Sequence, residues 1–166
     1  MPTDPSADRA GCRPERRRGR RSRLGVAGGL AGYAIGSVVA FSSTDPLSTS
    51  ALPGGGRGDA VQMAWFLAWT PHALLHGLDP FATTLLDHPG VADLADNTSV
   101  PLLGLLAAPV TLTLGPVAAL NVLLRLAMLA SAGAMFLVLR RVCTSDLAAF
   151  AGGAIYGFGP YLASHA

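Results

Sequence analysis

After residue 23 the chain is dominated by long apolar runs, Leu24–Phe41, Val100–Leu114 and Val117–Leu139, and no other feature constrains it as much. The last run holds 23 residues with a single charge, Arg125, and stops at Arg140-Arg141. Charged residues make up 13% of the 166 residues, against about 25% in an ordinary soluble domain. That is too little charge to cover a soluble surface. A disordered tail protein, a coiled coil and a conventional soluble enzyme are therefore excluded, and the pattern reads as a membrane protein.

The net charge of +2 hides an asymmetry. Residues 1–23 carry Arg9, Arg13, Arg16, Arg17, Arg18, Arg20, Arg21 and Arg23 against Asp4, Asp8 and Glu15, a balance of +5. Residues 24–166 carry four Arg against seven Asp, a balance of −3. Arg clusters pair with phosphates, but no aromatic residue interleaves with this one, so no nucleic-acid partner is expected. The cluster directly precedes an apolar run. It reads as a disordered cytoplasmic tail obeying the positive-inside rule.

The 18 residues of Leu24–Phe41 span about 27 Å as a helix, enough for a bilayer core. Gly28, Gly32 and Gly36 recur on one face, where a second helix can approach closely. A rival reading is a secretion signal, with Arg20-Arg21-Ser22-Arg23-Leu24 as a loose twin-arginine motif and Val38-Val39-Ala40 before a cleavage site. That route carries folded soluble proteins, which the rest of the chain is not. Residues 42–58 form a linker ending in Gly54-Gly55-Gly56-Arg57-Gly58, without the Gly-Lys-Ser/Thr that a phosphate-cradling loop needs.

Between Asp59 and His76, helical geometry gathers Gln62, Trp65, Trp69, His72 and His76 within about 80° of one another. Val61, Phe66, Leu67, Leu74 and Leu75 fall on the other side, and Pro71 is expected to kink the helix. Such a helix suits the membrane interface, where Trp prefers to lie. The same face suits stacking on a sugar ring, which makes these four aromatic and His residues substrate-binding candidates. His72 and His76 have metal-ligand spacing, but a zincin motif would need Glu where Ala73 stands, so no metal is assigned to them.

Residues 77–99 are a polar loop of turn formers, with Asp79-Pro80, Asp87-His88-Pro89-Gly90, Asp93, Asp96 and Asn97. Val100–Leu114, with Pro101 and Pro109, is short for a span; Gly115-Pro116 separates it from the next run. Ser145 and Asp146 can cap a last helix beginning at Leu147. Arg125 lies about 12 Å into the helix from Val117, one turn from Asn121 on the same face. A charge at that depth is costly and faces protein, water or a ligand. It either binds a lipid phosphate, or snorkels, or pairs with an acid on a neighbouring helix.

The fold expected is all-α: a multi-pass plasma-membrane protein with a cytoplasmic tail (1–23) and a membrane domain (24–166). About three transmembrane helices (24–41, 116–139 and 147–166) flank a long first outer loop (42–115) with interfacial or re-entrant helices. A second topology, in which Ala60–His76 and Val100–Leu114 both cross, satisfies the Arg bias equally but buries His72 and His76. In either, the last helix returns outward and delivers His165 to the outer face as a further substrate-side candidate. Cys12 and Cys143 are then both cytoplasmic, and no disulfide is expected.

Several segments together resemble the amino-terminal part of bacterial polytopic membrane glycosyltransferases of the GT-C class. They are Gly58-Asp59, Trp65-Phe66-Leu67-Ala68-Trp69, His72-Ala73-Leu74, Gly77-Leu78-Asp79-Pro80-Phe81, Asn97-Thr98-Ser99-Val100-Pro101-Leu102-Leu103 and Gly157-Phe158-Gly159-Pro160-Tyr161. The resemblance covers residues 24–166. It implies transfer from a polyprenyl-phosphate sugar donor in the outer leaflet, by an enzyme with further membrane helices. It also implies a catalytic acidic residue in the first outer loop, which Asp59 matches, either taking the acceptor hydroxyl's proton or helping to hold a divalent cation. Family members often pair that acid with a second one; here Gly58 and Ala60 flank it. Asp before a helix is also a routine N-cap. The alternative function is a non-catalytic small membrane protein or a degenerate, truncated paralogue.

Overall fold

The computed structural model describes residues 23–53, 58–96 and 99–159. They form five helices: α1 (Arg23–Ala40), α2 (Asp59–Leu75), α3 (Pro101–Leu114), α4 (Pro116–Val142) and α5 (Asp146–Gly157). Two two-residue strands, β1 (Ala82–Thr83) and β2 (Ala92–Asp93), pair antiparallel between α2 and α3, with Ala82 opposite Asp93. The fold is all-α, as the apolar periodicity predicts.

Local chemistry sets the boundaries. Ser145 caps α5, its Oγ accepting from the Ala148 amide at 3.4 Å. α3 and α4 are joined through Gly115 alone, at φ +92°, a backbone region that side chains avoid. Pro116 then opens α4 at a position where its missing N–H costs nothing. α2 continues through Pro71 to Leu75.

The packing falls into two tiers along α4. In one, α2 and α3 meet α4 near its start: Ala64 and Leu67 of α2, Ala107 of α3, and Ala119 and Leu120 of α4 form a core. Thr70 against Gly104 and Leu67 with Ala107 make α2 and α3 antiparallel. In the other tier, Tyr33 of α1, Ala132 and Phe136 of α4, and Ala149 of α5 form a second core. α1 runs antiparallel to α4, with Leu30 beside Gly133 and Phe41 beside Arg125. α5 doubles back on α4 so that Gly157 meets Ala132. The start of α1 and the Arg140-Arg141 end of α4 therefore share one end of the molecule.

α1, α3 and α5 bury mainly small residues. α3 buries Gly104, Ala107 and Thr111 and turns Leu102, Leu103, Leu105, Leu106 and Leu112 outward. α5 buries Ala149, Gly153 and Gly157 and leaves Ile155 77% exposed. α1 buries Tyr33 and Ser37 and exposes Ile35, Val38 and Val39. On these three helices small and polar side chains make most of the contacts, Tyr33 excepted, while many large apolar ones face out. Among the described residues one helix, Pro116–Val142, is long and apolar enough to cross a membrane. Only 28% of its most apolar window is buried. The apolar stretches Gly25–Ala40 and Pro101–Leu114 are shorter.

The details differ from expectation in α1 and in the loop after α2. Of the glycine face expected on α1, Gly32 and Gly36 pack as expected and Gly28 does not. Gly28 has open space around it, whereas Gly29 lies against Phe136, Gly32 against Phe150 and Gly36 against Phe158. Residues spaced by four advance about 40° per step around a helix, so the contact line shifts to Gly29 at one end. The loop 77–99, read as turns only, holds the β1–β2 hairpin. α5 ends at Gly157, about 18 Å of rise, with Phe158 as its C-cap, and residues 160–166 of the expected 147–166 span lie outside the described residues.

Candidate functional site

Asp59 is the first helical residue of α2 and is exposed. It is not the N-cap: Gly58 holds that position, at φ +59°, with no side-chain cap bond. Its carboxylate sits in the first turn, where the helix dipole favours negative charge.

The stripe expected on α2 forms a continuous ladder of rings. Trp65 and Trp69 stack with centroids 5.7 Å apart and planes at 5°. Trp69 and His72 are 5.7 Å apart, and His72 and His76 are 4.2 Å apart. The ladder lies at the margin of the packed face of α2. Trp69 is 7% exposed and donates its indole N–H to the Pro80 carbonyl at 3.2 Å. It packs with Phe66, Ala73 and Leu94, so the hairpin leans on it. Trp65 is half-buried and His72 and His76 are exposed. Of the residues expected on the opposite side, Phe66 and Leu67 are buried while Val61, Leu74 and Leu75 face out.

Distances along α2 limit which residues can serve one ligand. Trp65 is six residues from Asp59, about 9 Å of rise; His72 is thirteen away, about 20 Å. Trp65 also lies about 120° around the helix from Asp59, so neither it nor the His pair shares a face with the carboxylate. His76 Nδ1 lies 2.8 Å from the His72 carbonyl and must donate to it, since a carbonyl only accepts.

The residues do not fit a divalent cation at Asp59. Hard cations take several oxygen ligands. Among the described residues no group of three His, Cys, Asp or Glu converges, and Gly58 and Ala60 flank the single carboxylate. The acids Asp79 and Asp93 lie beyond the other end of α2 and serve turns: Asp79 Oδ1 accepts from the Phe81 amide and Asp93 Oδ1 from the Ala95 amide, each at 2.8 Å.

Arg125 is on another element and is not brought to the ladder. It is 6% exposed, so it does not snorkel, and it bonds carbonyls in place of an acid on a neighbouring helix. Its Nη1 donates to Asn121 O at 2.9 Å, and its Nη2 donates to Phe41 O at 3.1 Å and to Thr44 O. The guanidinium also lies over the Phe41 ring, 5.3 Å from the centroid. It stands level with the end of α1, because α4 extends past α1 by its first two turns. Asn121, fully buried, donates to Ser48 O at 3.2 Å and Ala51 O at 2.9 Å. These partners lie 70 to 84 residues away in the chain, and no local pattern announces them. His165, Asn97 and Cys12 lie outside the described residues.

No family model matches the chain, and no curated protein or solved structure matches it.

Proposed function

We propose that the chain is the amino-terminal part of an integral-membrane glycosyltransferase that takes a sugar from a polyprenyl-phosphate donor on the outer face of the plasma membrane. The observation that carries the reading is the pairing of helices that bury mainly small residues with α2, which bears an exposed carboxylate and a stripe of stacked rings. The resemblance of residues 24–166 to GT-C transferases gives that pairing a chemical use.

In this reading α1 and α4 cross the bilayer in opposite directions, and α5 begins a third crossing. The Arg-rich residues 1–23 and Arg140-Arg141 lie at the cytoplasmic end. α4 is about 40 Å long, more than a bilayer core of about 30 Å, so its first turns stand at the outer surface with α2 and α3. The outward leucines of α3 lie against acyl chains or against further helices of a longer enzyme.

The chemistry assigned to this chain is one proton transfer. The acceptor hydroxyl oxygen forms a bond to the anomeric carbon, the bond from that carbon to the phosphate oxygen breaks with its electron pair leaving on the polyprenyl phosphate, and Asp59 takes the hydroxyl proton. Trp65, about 9 Å further along α2 and on a different face, is left to a more distant part of the donor or acceptor. A second reading, a non-catalytic membrane protein, is favoured by one observation: Trp69 and Arg125 spend their donors inside the fold.

The test is transfer by the intact gene product in proteoliposomes, with labelled polyprenyl-phosphate monosaccharides offered from either side. Label leaving the lipid only when donor and acceptor face α2 supports the reading. Absence of transfer across a panel of donor sugars and acceptors, in a folded preparation, rejects it.

A further inference from the structure

Between α1 and α2 the chain passes through residues 41–53 with no helix or strand beyond isolated turns. Its own bonds are short-range: the Thr44 amide donates to Phe41 O at 3.0 Å, the Leu47 amide to Asp45 Oδ1 at 2.8 Å, and the Ala51 amide to Ser48 Oγ at 3.0 Å. Such turns fix shape locally but not position in the molecule. Apart from the Ser42 amide, which donates to Val39 O at the end of α1 at 3.1 Å, the hydrogen bonds among the described residues that tie this segment to another element come from two side chains of α4. Arg125 takes the carbonyls of Phe41 and Thr44, and Asn121 those of Ser48 and Ala51.

The two residues are one helical turn apart on the buried face of α4 and grip the segment at both ends. They also stand at the junction of the tiers, above Met128 and Ala132 and beside Leu120. A charged donor to a buried carbonyl is a strong bond, and Phe41 and Thr44 are buried. Arginine suits this better than lysine, because its planar fork can hold two carbonyls at once.

We infer that Arg125 and Asn121 are positioning residues: a clamp on α4 that fixes residues 41–51 and so sets where α2 and Asp59 stand relative to the membrane helices. Their effect on transfer rests on the function proposed above; their effect on the segment does not. The geometry also accounts for a charge inside α4 without a lipid ligand, since both terminal nitrogens of Arg125 are engaged by the chain itself.

The experiment compares wild type with Asn121→Leu and Arg125→Lys in the intact gene product. Asn121→Leu keeps volume and removes both donors; Arg125→Lys keeps charge and removes the fork. Backbone hydrogen exchange across 41–51 is expected to rise at least tenfold in Asn121→Leu and less in Arg125→Lys, with exchange in α4 and α5 unchanged. In an active preparation kcat is expected to fall at least tenfold, with KM for the donor changed less than threefold. Unchanged exchange in 41–51 overturns the clamp. So does exchange raised equally throughout the protein, or failure of both variants to fold, since either makes these ordinary core residues. If wild type transfers no sugar, the functional reading falls while the exchange result still decides the clamp.

Discussion

Replacing Asp59 by Asn is expected to reduce sugar transfer by the intact gene product at least a hundredfold while leaving membrane insertion and thermal stability close to wild type. General-base catalysis contributes roughly 10²–10⁴-fold, and Asn cannot take the proton. The structural cost is small because Asp59 is exposed and caps nothing; the N-cap is Gly58. What Asn forfeits is a charge–dipole attraction in the first turn of α2, about 0.3–1 kcal/mol for such a site. Steady-state transfer rates and a thermal melt on the same preparations separate the effects. Full transfer by the Asn variant removes Asp59 from the chemistry.

Gly157→Leu is expected to abolish the packed α1–α4–α5 tier. A Cβ at this position would fall 2.7 Å from both the Cα and the N of Ala132, which are backbone atoms of α4 and cannot rotate away. Gly153, one turn earlier, has the Ala132 carbonyl 2.8 Å from its own Cβ position. The two helices cross backbone to backbone, and a Leu between them separates Ala149 and Phe150 from Tyr33 and Phe136. It also endangers the bond from Tyr33 Oη to Phe150 O, now 2.8 Å. Overpacking costs about 1–3 kcal/mol in forgiving sites and more where backbone must move. Gly28→Leu is the control: that site is exposed with nothing near it, so the variant is expected to fold normally. Monodisperse elution and melting of both variants in mild detergent make the comparison. A Gly157→Leu protein that melts with wild type contradicts the close crossing of α4 and α5.

Sequence periodicity made the helices legible because apolar runs and their breakers are local signals. Ser145 capped the helix after it, and Gly115-Pro116 marked a sharp joint, for the same reason. The ring stripe of α2 followed from 100° per residue alone. Its burial did not, because Trp69 is covered by a hairpin whose strands are two residues long and carry no alternation. Leu94 buries itself under that hairpin from a stretch that reads as turns. Arg125 was conspicuous as a charge in an apolar run, yet its partners Phe41 and Thr44 are set by how α1 meets α4.

The whole account depends on α2 lying at the outer surface of the bilayer, and the chain supplies its own probe. Its two tryptophans, Trp65 and Trp69, are both on α2. Their fluorescence can be quenched in bilayers containing lipids brominated near the headgroup or near the bilayer centre. The expected result is strong quenching by the shallow bromines and weak quenching by the deep ones, with aqueous iodide effective only from the outer side. Stronger quenching by the deep bromines would place α2 across the membrane, and no quenching by either lipid would remove it from the bilayer; both contradict the account.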